Sequence, residues 1–584
     1  MNRQQRRAGR KKGGPISPSG PRLDIGILLA QATRFHQSGN VQEAARLYQQ
    51  ILQRDPGNAR VLHLFGIAAH QLGRSDAAIL LLRQAVEADR HHPGYHNDLG
   101  NILSELGRHA EAVTSFAEAV RHRPDYVEAH NNLGLAARAA GRPGEAEAAF
   151  VQALSHRPSF AEAHCNLGMM LFEGGRVAES LPCFLHAVAL NPTLPEAHNG
   201  LGNALERRDD LDGAEISLRR ALSHRPGYAE ALHNLGIVLK EQARFTEAAA
   251  CFEQALACRP DFAEARFALG LTLLQIGKWA EGWRNYDYRF AQTAEPGVRH
   301  RPFPQPAWSG EAGNGRTIFL WAEQGFGDAL QFGRFARDVS RLGWRVVLEV
   351  HAELARLFAS SLPEARVVPR GEALPPFDAH CPLLSVPRLL GITLDTLPAP
   401  PSYLAADREA TQRWRAQLAR GGGFKVGVAW RGSAGQKRNR RRSLRPEAFA
   451  EFLDLPGVDV ISLQKDGRQE ELTVLGPRGV LVDAGPKLGD FADTAALISA
   501  LDLVISVDTS VLHLAGALGV PAWGLLDHAS DWQWLTDRRD SPWYPSVRLF
   551  RQPRRGDWTS VTAEVRRELG GLLAERLSAA QAAG

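Results

Sequence analysis

The feature that most constrains the fold of this chain is a glycine that recurs every 34 residues through its first half. The glycines are Gly66, Gly100, Gly134, Gly168, Gly202, Gly236 and Gly270. Prolines keep the same period at Pro56, Pro124, Pro158, Pro192, Pro226 and Pro260, and small residues recur twelve positions after the glycines. A fixed period of this length indicates a stacked array in which each unit packs only against its neighbours.

The residue types within each unit predict two helices joined by a turn. Small residues let the two helices approach closely, and each proline ends the second helix of its unit because proline cannot continue a helix. The pattern resembles the tetratricopeptide repeat. We expect about eight units to stack into a superhelix over residues 23–290.

The basic character of the chain comes from its first residues. Residues 1–22 carry seven Lys or Arg and no acidic residue, so the formal net charge falls from +5 to −2 without them. We expect a disordered tail there, because the segment is rich in Gly, Pro and Ser and has no apolar core. The remaining body is not basic, so no nucleic-acid partner is expected; an RNA-associated repeat protein would bind through this tail.

Cysteine content and hydropathy point to the cytoplasm. The five cysteines form no C-x-x-C pair and no metal-ligand spacing, and their odd number argues against a disulfide framework. No apolar run approaches the ~18 residues of a membrane span, so we expect no transmembrane segment.

Polar residues recur on the first helix of the repeats. Two positions before the glycines lie Asp98, Asn132, Asn166, Gly200 and Asn234, and four positions before them lie His96, His130, His164 and His198. The array resembles that of O-linked N-acetylglucosamine transferase, in which inward Asn side chains hold an extended peptide. This resemblance implies an acceptor groove at Asn132, Asn166 and Asn234; the alternative is that they are polar positions without a ligand. The histidines are expected ~10 Å apart, too far to share a metal ion.

Strands alternate with helices in the second half of the chain. Apolar runs such as TIFLWAE and KVGVAW are typical of buried strands, and one predicted helix runs over Asp328–Leu342. This alternation predicts parallel, doubly wound sheets. We expect a linker at 291–315, a first Rossmann-like lobe at 316–405 and a second at 406–584, which ends in a helix. Two such lobes facing one cleft form the GT-B architecture of glycosyltransferases, so the predicted fold class is α followed by α/β.

The stretch at 501–523 predicts a ligand site at the edge of the second sheet. A buried strand at Leu503–Val507 is followed by a polar break and a short apolar helix. Thr509 or Ser510 can cap this helix, and Gly519 can end it in a left-handed turn. Phosphate binds at such helix starts, because the first turn leaves backbone N–H groups unpaired at the positive end of the peptide dipoles.

Asp508 and His513 lie beside this helix start, at the carboxyl edge where open α/β sheets bind ligands. The pattern D-T-S-x-x-H-x-A-x-A-L-G-x-P resembles the sugar-nucleotide motif of family-nine glycosyltransferases, the lipopolysaccharide heptosyltransferases. The resemblance implies that the donor's diphosphate and sugar are lined by Asp508, Thr509, Ser510 and His513. The family usually has glycine in place of Ser510. The alternative is that His513 is a core helix residue and Asp508 an ordinary turn residue.

The first lobe contains a glycine turn, E-Q-G-F-G-D, between its first strand and first helix. Gly325 and Gly327 permit a tight turn and close approach of the donor. The turn resembles the G-x-G-D motif of the heptosyltransferases, whose aspartate is the proposed catalytic base, and this implies that role for Asp328. A carboxylate at a helix N-terminus is expected to have a low pKa and to be a weak base, so Glu323 and His513 remain alternatives.

A basic run follows the first strand of the second lobe. Six Lys or Arg fall within residues 437–445, a pattern typical of a solvated loop or a nucleic-acid patch. The position at a strand end favours a clamp on the donor diphosphate, for which Arg442 and Ser443 are the predicted contacts. Gln464 and Lys465 end the next strand, and they are predicted either to contact the base or ribose or to form a plain turn.

Together these features predict a glycosyltransferase. It would move a sugar from a nucleotide-sugar donor to a protein or glycan acceptor presented by the repeats. It would need no metal ion and no separate cofactor, and it would invert configuration if Asp328 is the base. The alternative is a non-catalytic repeat scaffold with a vestigial nucleotide-sugar-binding domain. The transferase prediction requires Asp328 and His513 to face each other across a shared opening.

Overall fold

The structure is a computed structural model that describes residues 24–291, 300–432, 439–467, 469–475 and 482–583. The predicted basic tail lies outside these residues, as do parts of the predicted linker and of the basic run. The chain divides into two compact units, Met1–Arg208 and Asp209–Gly584. Helical repeats are followed by parallel sheets with helices, so the predicted fold class, α followed by α/β, is confirmed.

The described part of the first unit is all helical. Its helices are α1 (Ile25–Gln37), α2 (Val41–Leu52), α3 (Ala59–Gln71), α4 (Ser75–Ala88), α5 (Pro93–Glu105), α6 (His109–His122), α7 (Val127–Ala139), α8 (Pro143–His156), α9 (Ala161–Glu173), α10 (Val177–Leu190) and α11 (Pro195–Arg207). The periodic glycines lie where paired helices touch. A Cβ added at Gly100 would lie 2.7 Å from the Phe116 ring, and one at Gly134 would lie 2.5 Å from the Phe150 ring. The predicted close approach within a repeat is confirmed, and it requires glycine.

Two kinds of turn connect the helices of this unit. Within a repeat, the turn contains a glycine in the left-handed region, with φ between +72° and +80° at Gly39, Gly73, Gly107, Gly141 and Gly175. Between repeats, Nε2 of His130 lies 2.8 Å from the carbonyl oxygen of Pro124. The same bond recurs at His96, His164 and His198. The repeat histidines therefore bind turn carbonyls.

The second unit begins with repeat helices. They are α12 (Leu211–His224), α13 (Ala229–Glu241), α14 (Phe245–Cys258), α15 (Ala263–Gln275) and α16 (Trp279–Tyr286). The aromatic residues of α16 are buried in the same core as the sheets that follow. The ring of Trp279 stacks on that of Trp543 with centroids 5.2 Å apart, and Trp283 meets Trp532 edge-on at 5.3 Å. The last repeat helix is thus part of the α/β core.

The first sheet has four parallel strands in the order β3-β2-β1-β4. The strands are β1 (Thr317–Trp321), β2 (Arg345–Val350), β3 (Ala365–Pro369) and β4 (Ala379–Pro382), and the helices are α17 (Phe326–Phe332), α18 (Phe335–Arg341), α19 (Ala352–Ser361) and α20 (Val386–Leu389). The single helix predicted over Asp328–Leu342 is wrong, because α17 and α18 are separate. The break falls at Gly333, a poor helix former that packs so closely on Phe358 that a Cβ there would lie 2.3 Å from its ring.

The second sheet has six parallel strands in the order β10-β9-β8-β5-β6-β7. The strands are β5 (Phe424–Ala429), β6 (Val458–Ser462), β7 (Val482–Asp483), β8 (Leu503–Val507), β9 (Ala522–Leu526) and β10 (Val547–Arg551). The helices are α21 (Arg408–Leu418), α22 (Asn439–Arg442), α23 (Pro446–Leu453), α24 (Gln469–Val474), α25 (Phe491–Ile498), α26 (Ser510–Leu518) and α27 (Trp558–Ala583). The strand order reverses between β5 and β8, so the loops after these strands bound the crevice where such sheets bind ligands.

One apolar core is continuous from the first sheet to the second. It contains Leu320 of β1 and Leu512 of α26, both with no exposed surface. A second core, which includes Val565 of α27, covers the other face of the second sheet.

No helix in the described part of the chain combines the length and the apolar character that a membrane span requires.

Candidate active site

Helix α26 begins at the carboxyl end of β8 and is capped as predicted. The Thr509 Oγ1 accepts the backbone N–H of Val511 at 3.3 Å, and it lies 3.0 Å from the Ser506 hydroxyl. Ser510 is the first helical residue and is half-buried. Gly519 ends the helix with a φ of +72°. The strand, the cap and the left-handed end together fix the start of the helix at the crevice.

The two predicted motifs meet at this point. A Cβ added at Gly327 would lie 2.9 Å from Cδ2 of His513 and 3.4 Å from its Nε2. Glycine is therefore required if α17 of the first sheet and α26 of the second are to pack this closely. The neighbouring carboxylate, Asp328, accepts the backbone N–H of Gly325 at 3.2 Å. The structure thus brings the glycine turn against the histidine of the other motif, with Gly327 at the point of closest packing.

His513 is buried and held by neighbours on several sides. Its Nδ1 lies 3.0 Å from the Tyr544 hydroxyl, its Nε2 lies 3.8 Å from Oδ1 of Asp508, and its ring packs on Trp534 with centroids 5.1 Å apart. Burial, assisted by the positive charge of Arg334, lowers the pKa of His513 to about 3. The imidazole is neutral at physiological pH, and such a weakly basic group is unsuited to the role of general base.

Two carboxyl groups have raised pKa values, Asp508 beside His513 and Asp328 in the glycine turn. Burial and the charge of Asp531 raise the pKa of Asp328 to about 6, although the backbone N–H of Gly325 and the positive charge of Arg442 oppose the shift. The same two causes raise the pKa of Asp508 to about 7. The low pKa expected for a helix-terminal Asp328 is therefore wrong, because the cost of desolvating the carboxylate outweighs the favourable helix start. A pKa near neutrality suits a general base.

Arg442 is one of the cations that act on this cluster. Its positive charge opposes the raised pKa of both Asp328 and Asp508 and contributes to the lowered pKa of His513. The predicted contact of Arg442 with the donor diphosphate stays a prediction. A guanidinium beside two carboxyl groups and a helix start can stabilise negative charge that develops on a phosphate oxygen.

A cavity of about 480 Å³ opens beside the cluster. Residues that follow β5, β9 and β10 line its wall, among them Ser443, Arg441, Asp527, Gln552 and Arg555. Asp527 also contributes to the raised pKa of Asp508, which places the cavity next to the second motif. Of the two predicted contacts in the basic run, Ser443 lines the cavity and Arg442 faces the carboxyl groups.

Gln464 and Lys465 are engaged within loops of the second sheet. The Gln464 Oε1 accepts the backbone N–H of Arg431 at 3.2 Å, and its Nε2 donates to Asp466 at 2.7 Å. The Lys465 Nζ donates to the carbonyl oxygen of Gly489 at 3.1 Å. These bonds hold the loops after β5 and β6 together, so contact of either residue with a base or ribose stays a prediction.

Glu323 is buried in an ion pair that sequence reasoning did not identify. The Arg289 guanidinium donates from Nε to the Glu323 carboxylate at 2.9 Å, and it also binds Asp287 at 2.7 Å and Ser385 at 2.8 Å. Burial raises the pKa of Glu323 to about 7 against the pull of Arg289. The pair ties the segment after α16 to the end of β1, which gives Glu323 a structural role at the base of the glycine turn.

The asparagines of the predicted acceptor groove bond to neighbouring repeats. The Asn132 Nδ2 donates to Asn101 at 3.1 Å, and the Asn166 Nδ2 donates to Asn131 at 2.9 Å. Asn234, in the second unit, is half-buried. These bonds form a ladder between successive first helices, and peptide binding by the ladder stays a prediction.

Within the described residues, no three or more His, Cys, Asp or Glu side chains are grouped so that they could hold a metal ion.

Comparisons with known proteins agree with the two-part organisation. Tetratricopeptide-repeat models match residues 35–102, 97–150, 134–195, 193–261 and 251–284. The model of glycosyltransferase family 9 (heptosyltransferase) matches residues 466–555. This range contains β8, α26 and the whole D-T-S-x-x-H motif that follows β8. The chain is therefore similar to tetratricopeptide-repeat proteins over residues 35–284 and to family-nine glycosyltransferases over residues 466–555.

One curated protein and several solved structures are similar to parts of this chain. Protein FlbA of Caulobacter vibrioides is 30% identical over 319 residues, which are 50% of this chain and 52% of that protein. The chain thus spans about half the length of this curated relative. Among solved structures, the repeat protein YrrB is 22% identical over 32% of this chain and 95% of its own, with a TM-score of 0.27. A repeat protein from Parabacteroides merdae is 17% identical over 43% of this chain and 98% of its own, with a TM-score of 0.37.

Proposed function

We propose that this chain is a metal-independent, inverting glycosyltransferase that transfers a sugar from a nucleotide-sugar donor to a protein or glycan acceptor. The observation that supports the proposal is the close packing of Gly327 on His513, because Gly327 immediately precedes Asp328 and His513 belongs to the motif that follows β8. The family-nine match over residues 466–555 supports the same activity. Besides the donor and the acceptor, the proposed reaction needs no metal ion and no cofactor. We place the activity in the cytoplasm.

The proposed reaction is a single displacement at the anomeric carbon. The acceptor hydroxyl gives its proton to the Asp328 carboxylate while its oxygen attacks the anomeric carbon. The bond from that carbon to the diphosphate breaks, and the electron pair leaves with the phosphate oxygen. Arg442 and the N-terminus of α26 stabilise the negative charge on the leaving group. Attack opposite the leaving group inverts configuration.

In this proposal the repeats bind the protein partner. Repeat models match 35–284 almost without a gap, and repeats of this kind form extended binding surfaces. Within the first unit an extended peptide would use the amide groups of Asn132 and Asn166, and within the second unit it would use that of Asn234, since an amide both donates and accepts hydrogen bonds.

The pH dependence of transfer follows from the raised pKa of Asp328. The base must be ionised, so kcat/KM should rise with pH through an apparent pKa of about 6 and level off above it. Rate measurements from pH 5 to pH 8 check this. The limb should persist in Asp338→Asn, a carboxylate of α18 that pairs with Arg341. A limb that persists in Asp328→Asn would assign the base to another group, such as Glu323.

The proposed function is tested with the full chain and a panel of nucleotide sugars. Released nucleoside diphosphate and a sugar adduct on a co-expressed protein or glycan, detected by mass spectrometry, are the expected products. Donor binding without turnover toward any acceptor would contradict the proposal and leave the non-catalytic scaffold.

A further inference from the structure

Two repeat turns of the second unit have a residue other than glycine at the position with a left-handed backbone. At the position where Gly39, Gly73, Gly107, Gly141, Gly175 and Gly277 have left-handed backbones, the chain has Asp209 with a φ of +73° and Ala243 with a φ of +60°. A side chain is unfavourable in this region, although Asp tolerates it better than most residues. Such residues persist where the surroundings hold them, and often where they serve a function.

The side chain of Asp209 lies on the wall of the cavity of about 480 Å³. Its Oδ1 accepts a hydrogen bond from Arg441 Nη2 at 2.7 Å, and Arg555 binds the same oxygen. Arg441 also pairs with Glu241 of α13, a glutamate that is only 8% exposed. Two guanidinium groups, one from α22 and one from the segment after β10, therefore converge on one carboxylate oxygen supplied by a repeat turn.

The same wall has more hydrogen-bond donors than Asp209 can satisfy. The Arg555 Nη1 and the Gln552 Nε2 are buried and donate to no acceptor within the described residues. Gln552 is 2% exposed and lines the cavity, so its amide has little access to bulk water. Buried donors of this kind are normally paired. A phosphate group has more acceptor oxygens than a carboxylate and binds guanidinium groups in the same bidentate manner.

We propose that Arg441, Arg555 and Gln552 form a binding site for a phosphate group, and that Asp209 is an internal anion that this ligand displaces. The inference rests on the proposed function, since a nucleotide-sugar donor brings a diphosphate to this edge of the sheet. Displacement breaks the ion pairs of Asp209, so phosphate binding and the repeat turn are coupled. The Asp209 carboxylate competes with the phosphate for the guanidinium groups of Arg441 and Arg555, so it weakens phosphate binding until it is displaced.

Replacing Asp209 with glycine tests the proposal, because Asp209→Gly restores the residue that the other turns have and relieves the backbone. We expect the full chain to bind inorganic pyrophosphate, UDP and GDP at least about fivefold more tightly in calorimetry, with no loss of thermal stability. Ala243→Gly is the matched control, since it relieves the same strain at the equivalent position and removes no charge. Its affinities should stay within about twofold of the parent.

A second variant assigns any gain to the proposed site. In the Asp209→Gly background, Arg555→Gln should return the affinity to the parent value or below it. Unchanged or weaker binding in Asp209→Gly would overturn the inference and make Asp209 a residue that merely positions Arg441. A gain in affinity that survives Arg555→Gln would also overturn the inference, because the phosphate would then bind elsewhere.

The outcomes also separate this inference from the proposed function. If pyrophosphate binding tightens as expected but no nucleotide sugar is ever turned over, the phosphate site stands and the proposed function fails. If transfer is observed while Asp209→Gly leaves all three affinities unchanged, the transferase stands and the inference fails. Absence of pyrophosphate binding in both the parent and Asp209→Gly would overturn the inference directly.

Discussion

Asp328→Asn should lower the rate of sugar transfer by about 10²–10⁴-fold, which is the usual contribution of a general base. Asparagine has nearly the same shape as aspartate and can still accept the backbone N–H of Gly325, so the glycine turn should survive. Donor affinity should change little, because Arg442 and the start of α26 remain. Single-turnover rates together with donor titration on the purified full chain separate the two effects.

The stability of the same variant provides a control on folding. The folded-state pKa of Asp328, about 6, lies above the ordinary value of 3.8, so the folded protein holds this proton more tightly than the unfolded chain. The stability that this proton contributes is present below pH 3.8 and is lost as the pH rises toward 6. Asp328→Asn removes the buried charge and should therefore be at least as stable as the parent at pH 8. A variant that is stable and fully active would contradict the assigned base.

Arg289→Met should lower the free energy of unfolding by about 3–5 kcal/mol, the usual cost of leaving a buried charge without its partner. Both Arg289 and Glu323 have side chains that are only 1% exposed. Removing the guanidinium leaves the Glu323 carboxylate at the end of β1 with no compensating charge. Urea unfolding, followed by tryptophan fluorescence of the aromatic cluster around α16, measures the change.

A compensating variant distinguishes loss of the charge pair from loss of packing. Arg289→Met combined with Glu323→Leu should recover most of the lost stability, because an apolar pair of similar volume often replaces a buried ion pair without penalty. Asp287 retains its partner Arg388 in this background. A loss below about 1 kcal/mol in the single variant, or no recovery in the double variant, would show that the pair carries little of the fold's stability.

Local patterns were sufficient to predict most of the secondary structure. The spacing of Gly100 and Gly134 predicted helix pairs in close contact, and those contacts exist. The residues around α26 predicted its cap at Thr509 and its left-handed end at Gly519, because both depend only on neighbouring residues. The break at Gly333 was missed, since it depends on Phe358, a residue of another helix.

The electrostatics of the site could not be read from the sequence in the same way. A helix-terminal Asp328 predicts a low pKa if only its own helix is considered, but burial, assisted by the charge of Asp531, raises the pKa instead. The partner of Glu323 lies 34 residues away in Arg289, and the partner of Asp209 lies 232 residues away in Arg441. No periodic pattern links such pairs, and only tertiary packing brings them together.

A crystal structure of the full chain with its nucleotide-sugar donor tests the central claim most directly. The account predicts that the diphosphate lies between the start of α26 with Arg442 and the adjoining cavity wall of Arg441 and Arg555, and that the anomeric carbon faces the Asp328 carboxylate with room for one acceptor hydroxyl between them. A donor bound elsewhere on the chain would contradict the account. So would a bound donor whose anomeric carbon is separated from the Asp328 carboxylate by the side chain of His513.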